Sequence, residues 1–350
     1  MHNELDEERF DSPRTSAITI RQVAEEAGVS IATVSRAFSR PSKVNVHTLN
    51  RVHEAAARLG YRTDAVATVH ESELRGLIGL VVTDLENPIS AQYARAVQRY
   101  CSEKNCGLLI MDTQENAMTE SAIIKRSLSH VDGVILDSTR LSDAAIRKLA
   151  QVKPVVVLNR VVRGVSSVTF DCTPGLVEAV DTFATLGHRR ISYLSGPDNS
   201  WQNGVRRHTL LRACRERGLQ ARIMPCAYPL EAHMLGCFEA FMRHPTSAVI
   251  AFNDAIALRF IRYLKDLGVD VPGQISVMGI DDIPMAAAVT PSLSTLSFPR
   301  ARMGDTAARI IIDPMLHIGR GAGNLSSFSA RFVRRDSIAE ISPLIAAGIA

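Results

Sequence analysis

Thr19-Ile20-Arg21-Gln22-Val23-Ala24-Glu25-Glu26-Ala27-Gly28-Val29-Ser30-Ile31-Ala32-Thr33-Val34-Ser35-Arg36 is the stretch on which the reading of this chain turns. Thr19 followed three residues later by Gln22 has the form of a reciprocal N-terminal cap, so a helix starts there. Val23, Ala24 and Ala27 give that helix an apolar face. Gly28 ends it, because glycine takes the left-handed conformation without a Cβ clash. Ser30 then caps a second helix with Val34, Ala37 and Phe38 on its inner face, which leaves Ile31, Ala32, Thr33, Ser35 and Arg36 at its start or on outer faces. Asn45 caps a third, with Leu49, Val52, Ala56 and Leu59 at helical spacing and Gly60 as its stop. Three short helices with a tight glycine turn between the first two describe a helix-turn-helix over residues 18–61.

Outward from this head the texture changes on both sides. Residues 1–17 are polar, carry five acids against Arg9 and Arg14, and read as a disordered tail. Residues 62–75 are weakly patterned and read as a linker. From Gly76 onward short apolar runs alternate with helical stretches: 77–82, 108–111, 134–136 and 155–158, then 191–194, 248–252 and 275–280. Continuous β-branched runs between helices predict parallel strands buried on both faces. There are too many for one compact sheet, so the expectation is an α/β core of two similar subdomains, residues 76–340, with a cleft between them. Residues 341–350 read as a tail.

The 350 residues are 46% apolar, enough for one large core and a small second module. A net charge of +4 is unremarkable for this length, but residues 18–66 hold seven Lys/Arg against four acids, a local surplus that suits a polyanionic partner. The six cysteines form no CxxC pair and, with the histidines, no zinc-spaced cluster, so the expectation is reduced thiols in a cytoplasmic protein with no metal and no cofactor. No run approaches the ~18 apolar residues of a membrane span, and the acidic N-terminus lacks a signal-peptide core.

In a helix-turn-helix the second helix enters the major groove, and its first residues meet base edges. Arg36 is the strongest candidate for reading a base, since a guanidinium can bond guanine O6 and N7 together. Elsewhere the same residue would be a solvated surface arginine. Ile31 and Ala32 offer apolar contact to thymine methyls. Thr19, Ser30, Thr33, Ser35, Asn45 and Thr48 sit at or near helix starts, where hydroxyls and backbone N–H groups suit phosphates and also serve as caps.

The quoted run resembles the DNA-binding signature of the lactose/galactose repressor (LacI/GalR) family. The similarity continues through Leu59-Gly60-Tyr61, Ile78-Gly79-Leu80, Gly187-His188-Arg189-Arg190-Ile191, Gly196-Pro197, Asn253-Asp254, Gly279-Ile280-Asp281-Asp282 and Pro291-Ser292-Leu293-Ser294-Thr295. The resemblance implies a periplasmic-binding-protein-like core behind the three-helix head. Its N-subdomain would span about 76–169 and 298–327, and its C-subdomain about 170–297 and 328–340. It further implies a homodimeric transcription repressor that binds operator DNA and is switched by a small effector, a sugar or a derivative. Carried over by position, the effector-facing set is Asn159, Arg206, Asn253 and Asp281, with Phe170, Trp201 and Phe298 as packing surfaces. Tyr61, Val69 and His70 join the DNA-facing set. Three departures stand out: His70 occupies the place of a leucine that wedges into the minor groove, with Val69 beside it as a smaller substitute. Asn159 stands where some members carry a carboxylate for sugar hydroxyls. The C-terminus has no heptad repeat for a tetramerising coiled coil. His188, just before a strand, reads as a turn residue rather than a catalytic one.

Two other classes were weighed. A periplasmic solute-binding protein would share the core but needs a signal peptide and no basic head. The alternative is a cytosolic small-molecule-binding protein or enzyme on the same α/β core; an NAD- or phosphate-using enzyme would need a glycine-rich phosphate loop after the first strand, where Val81-Val82-Thr83-Asp84-Leu85-Glu86-Asn87-Pro88 has none.

Overall fold

The computed structural model describes residues 19–39, 43–59, 76–226, 231–316 and 324–341. The expected tails, the linker and the positions Tyr61, Val69 and His70 lie outside the described residues. The chain divides into two compact units, residues 1–73 and 74–350.

The first unit holds α1 (Ile20–Glu26), α2 (Ile31–Ser39) and α3 (Val46–Leu59). Gln22 Oε1 accepts the Thr19 backbone N–H at 2.7 Å, half of the expected reciprocal cap. Gly28 takes φ +63°, and the next N–H, that of Val29, reaches back to the Ala24 carbonyl at 3.0 Å, closing α1 as a glycine-stopped helix does. Ser30 Oγ accepts from Thr33 N at 3.2 Å, and Asn45 Oδ1 from His47 N at 2.9 Å, so both later helices start on their expected caps. The core is Val23, Ala24, Ala27, Val34, Ala37, Val52, Ala55 and Ala56, with Phe38, Leu49 and Leu59 partly buried around it.

The second unit contains two parallel sheets. The larger is ordered β11-β5-β4-β3-β1-β2, from β1 (Leu77–Val82), β2 (Gly107–Asp112), β3 (Gly133–Asp137), β4 (Val155–Leu158), β5 (Ser166–Asp171) and β11 (Leu325–Ser329). The smaller is β7-β6-β8-β9, from β6 (Arg190–Ser195), β7 (Gln220–Pro225), β8 (Ala248–Ala251) and β9 (Ser276–Met278). The crossover helices are α4 (Pro88–Glu103), α5 (Ala117–Ser127), α6 (Asp143–Val152), α7 (Thr173–Thr185), α8 (Trp201–Glu216), α9 (Glu231–Arg243) and α10 (Asp254–Asp266). The short α11 (Pro284–Ala288) and the long α12 (Arg300–Leu316) follow. The chain passes between the sheets three times: after β5, between β10 (Thr295–Ser297) and α12, and between β11 and β12 (Arg331–Val333). β10 and β12 pair antiparallel, Leu296 opposite Phe332.

Seven strands coincide with the apolar runs of the sequence. β5, β7, β10, β11 and β12 lie outside the expected runs; β7 and β11 are half-exposed along their length and carry no continuous apolar run. The expected subdomain borders at 169/170 and 327/328 cut β5 and β11, which both run on in the larger sheet to Asp171 and Ser329. The six cysteines are free thiols, five of them buried. No described helix is long and apolar enough to cross a membrane.

Beneath the smaller sheet, the fully buried ring of Phe260 meets Phe238 and Phe241, each with its centroid at 5.0 Å. Truncation of Phe260 to alanine leaves a cavity at this junction and is expected to cost ~3–5 kcal/mol. Urea unfolding followed by far-UV circular dichroism should register that loss as a lower midpoint.

Candidate functional site

In the head, α2 buries Val34 and Ala37 and turns Ile31, Ala32, Ser35 and Arg36 to solvent, positions that share one face at one-turn spacing. Ile31 is 48% exposed on that face. Arg21 lies 3.5 Å from Glu25 and Arg58 3.8 Å from Glu26, whereas Arg36 has no ion pair among the described residues. Thr19, Ser30 and Asn45 are exposed at the helix starts, and Thr33 and Thr48 are half-buried. Ser30 and Thr33 share a hydroxyl contact of 2.9 Å, so their capping role leaves them on the same outer rim as Arg36.

In the second unit a cleft opens where carboxyl ends of strands from both sheets meet, the place where open α/β sheets collect ligand groups. Thr83 follows β1, Asp137 and Ser138 end β3, Asn159 follows β4 and Phe170 lies near the end of β5. From the smaller sheet come Phe252 and Asn253 after β8 and Asp281 beyond β9. The backbone is strained here: Glu115, Ser138, Asn159 and Asp281, all lining the cleft, have positive φ without being glycine, as do their neighbours Gln114 and Asp282.

Hydrogen bonds fix each wall. Tyr93 donates to Asn159 Oδ1 at 3.1 Å, and Asn159 Nδ2 donates to Asp137 Oδ1 at 2.7 Å. Gln202 Nε2 reaches the Asn159 carbonyl at 2.8 Å, joining α8 to the larger sheet across the cleft. Arg206 donates through Nη1 to the Phe252 carbonyl and through Nη2 to Asp281 at 3.5 Å. Its guanidinium also lies over Phe252, 4.7 Å from the ring centroid. Gly196 makes room for that ring, which passes 2.5 Å from where a Cβ would stand. Phe170 and Phe298 stack at 3.8 Å and 7°, forming an apolar wall. Arg206 Nε and Gln202 Oε1 are buried without a hydrogen-bond partner among the described residues, and such groups cost ~1–3 kcal/mol each until something bonds them.

Six of the seven expected residues, Asn159, Phe170, Arg206, Asn253, Asp281 and Phe298, line this one cleft. Trp201 does not: as the first residue of α8 it is half-buried, and its neighbours Ser200 and Gln202 face the cleft instead. The sequence reading missed Asp137, Glu115, Arg140 and Gln202. Asp137 carried the same signal that selected Asp281, a carboxylate straight after a buried strand run. Asn253 is partly committed, its Oδ1 capping α10 through Ile256 N at 2.9 Å. His188 is structural: its ring nitrogens bond Ser247 Oγ at 2.8 Å and the Ala339 carbonyl at 3.1 Å.

A compact three-helix head with an exposed second-helix face, joined in one chain to an α/β core with a polar cleft, has the parts of a DNA-binding regulator with a small-molecule-binding core. Residues 19–64 match the profile of bacterial regulatory proteins of the lacI family, and residues 180–338 that of a periplasmic binding protein-like domain. The HTH-type transcriptional regulator GalS of Salmonella typhimurium is 31% identical over 333 residues, covering 92% of this chain and 97% of that protein. GalR of Escherichia coli is 29% identical, covering 91% and 95%. Among solved structures, the lac repressor dimer bound to operator and an anti-inducer superposes with a TM-score of 0.78 at 22% identity, over 93% of this chain and 100% of that one. The chain belongs to the lacI family of bacterial regulatory proteins. It is a DNA-binding transcription regulator and not an enzyme.

Burial pushes the carboxyls of Asp137 and Asp281 up to about 6, and burial with the nearby Asp281 charge pushes Asp254 up to about 7. A carboxyl raised in the folded state stabilises the fold at low pH, and that contribution is lost as pH rises through its folded value. Burial lowers the pKa of His188, which acts in the opposite sense as pH falls. Asp281→Asn should therefore lose less stability than the wild type between pH 4.5 and pH 7, with urea midpoints measured in parallel. Identical slopes would show that Asp281 does not titrate in this range.

Proposed function

We propose that this regulator is a cytoplasmic homodimeric repressor whose α2 reads operator DNA and whose core cleft binds a sugar or sugar derivative. The single observation that carries the ligand reading is the cleft itself, where polar groups from both sheets converge beside the stacked Phe170 and Phe298. A ring with polar edges and an apolar face suits such a wall. Solved structures of similar fold support it: a CelR regulator is in complex with cellobiose, and a LacI family regulator from Enterococcus faecium holds ribose. The operator-bound lac repressor is a dimer, which supports one α2 in each half-site.

On this reading Arg36 contacts a base edge, Ile31 and Ala32 meet apolar groups in the groove, and the hydroxyls and amide of Thr19, Ser30, Thr33, Ser35, Asn45 and Thr48 hold phosphates. Arg206 and Asp281 hold the effector from the smaller sheet, and Asn159 from the larger. A ligand that prefers one separation of the two sheets shifts the population of DNA-competent dimers by its differential affinity.

Fluorescence anisotropy on operator DNA tests both halves. If about 6 to 10 phosphates are contacted, affinity should fall by roughly 10³ to 10⁵ between 50 and 200 mM salt, and a flat response would rule the reading out. Arg36→Ala should cost ~1–3 kcal/mol and relax preference at one base pair per half-site. Equal losses on every sequence would make Arg36 a phosphate contact instead. In a folded Arg206→Ala variant the effect of sugar on operator binding should disappear; a normal response would move the effector site elsewhere.

A further inference from the structure

One carboxylate of the cleft has no ion pair among the described residues, the Arg140 charge acting on it only from beyond salt-bridge distance. Arg140 is bound to Glu115 through Nε at 2.7 Å and again through Nη2, and Arg206 faces Asp281 at 3.5 Å, so each of these guanidiniums is matched by an acid. Asp137, buried at the end of β3, forms no ion pair among the described residues. Its Oδ1 accepts both Asn159 Nδ2 at 2.7 Å and Ser138 Oγ at 3.0 Å. No described residue donates to Oδ2.

A carboxylate oxygen accepts hydrogen bonds and cannot donate them, so a buried one is satisfied only by a donor. The helix starts around the cleft do little to reverse its sign, because their own side chains take up leading N–H groups. Asn87 accepts from Ile89 N at 3.1 Å, Ser200 from Asn203 N at 3.3 Å, and Asn253 from Ile256 N at 2.9 Å. Arg206, the guanidinium nearest the smaller sheet's wall, has Nη1 on the Phe252 carbonyl and Nη2 facing Asp281, which balances its charge and leaves Nε to donate.

We propose that Asp137 is a specificity-determining residue of the cleft: its Oδ2 accepts hydroxyl hydrogens of an uncharged sugar and turns away phosphorylated or acidic sugars. This rests on the sugar reading above and narrows it to one charge class. Asn159 positions Asp137, holding Oδ1 so that the other oxygen faces the ligand.

Isothermal titration of the full-length protein with paired probes tests the assignment: D-galactose against D-galacturonate, D-ribose against D-ribose 5-phosphate, and cellobiose against cellobionate. At least one uncharged member should bind, with its anionic counterpart weaker by about tenfold or more. Asp137→Asn keeps an oxygen for Asn159 and Ser138 but offers an amide donor in place of Oδ2. It should weaken the uncharged sugar by about tenfold and narrow the gap, whereas Asp137→Glu, which keeps the charge, should preserve the preference. If the anionic member binds as tightly as the neutral one, or if a folded Asp137→Asn protein leaves both affinities unchanged, the assignment is wrong while the sugar reading stands. If Asp137→Asn does not fold, the wild-type ratio together with Asp137→Glu decides. Should no sugar of either charge bind the wild type, the sugar reading itself fails and takes this one with it.

Discussion

A parallel strand covered by helices on both faces has no place along its length for an unpaired charge, because removing one from water costs far more than packing returns. The central strands here obey that constraint: β3, β4, β6 and β8 are almost wholly buried from end to end. Charge is admitted only where the strands stop. Asp137, Asn159 and Asp281 all stand at or beyond carboxyl ends, where hydrogen-bond partners from helix α8 or from beside a neighbouring strand can reach them. The cleft is thus the part of the core that the sheets could not make apolar. Its raised carboxyls and left-handed backbone are the local cost of keeping those groups there.

Much of this was legible in the sequence, for reasons that differ between elements. The head could be read almost residue by residue, since each helix carries its own start and stop: Thr19 and Gly28, Ser30, then Asn45. The central strands could be read because burial on both faces writes itself as a continuous apolar run. β7 and β11 could not, since strands half-exposed along their length carry no such run, and the expected borders near 169 and 327 fall within β5 and β11.

Within the site, residues were legible where chemistry and position agreed, as for Arg206 and Asp281. Trp201 shows the converse. An indole is attractive chemistry for a ring ligand, but the helical turn that opens α8 sends Ser200 and Gln202 to the cleft and leaves Trp201 off its wall. Asn159 was noted as a place without a carboxylate; the acid stands at Asp137 on the adjacent strand, hydrogen-bonded to that asparagine at 2.7 Å. Pairing between neighbouring strands is long-range information, and no local pattern around residue 159 contains it.

The three passages of chain between the sheets have a mechanical meaning. Two of them are laced together as the β10–β12 ribbon, with Leu296 against Phe332. Sliding one strand of such a ribbon past the other would break its hydrogen-bonded ladder, whereas bending the pair keeps the ladder, so the ribbon favours hinge-like over shearing displacement of the sheets. Ligands of quite different outline would all meet that one constraint on how the two sheets can part. Selectivity is left to side chains at the mouth, which can change without rebuilding the hinge, and one frame can serve many chemical signals.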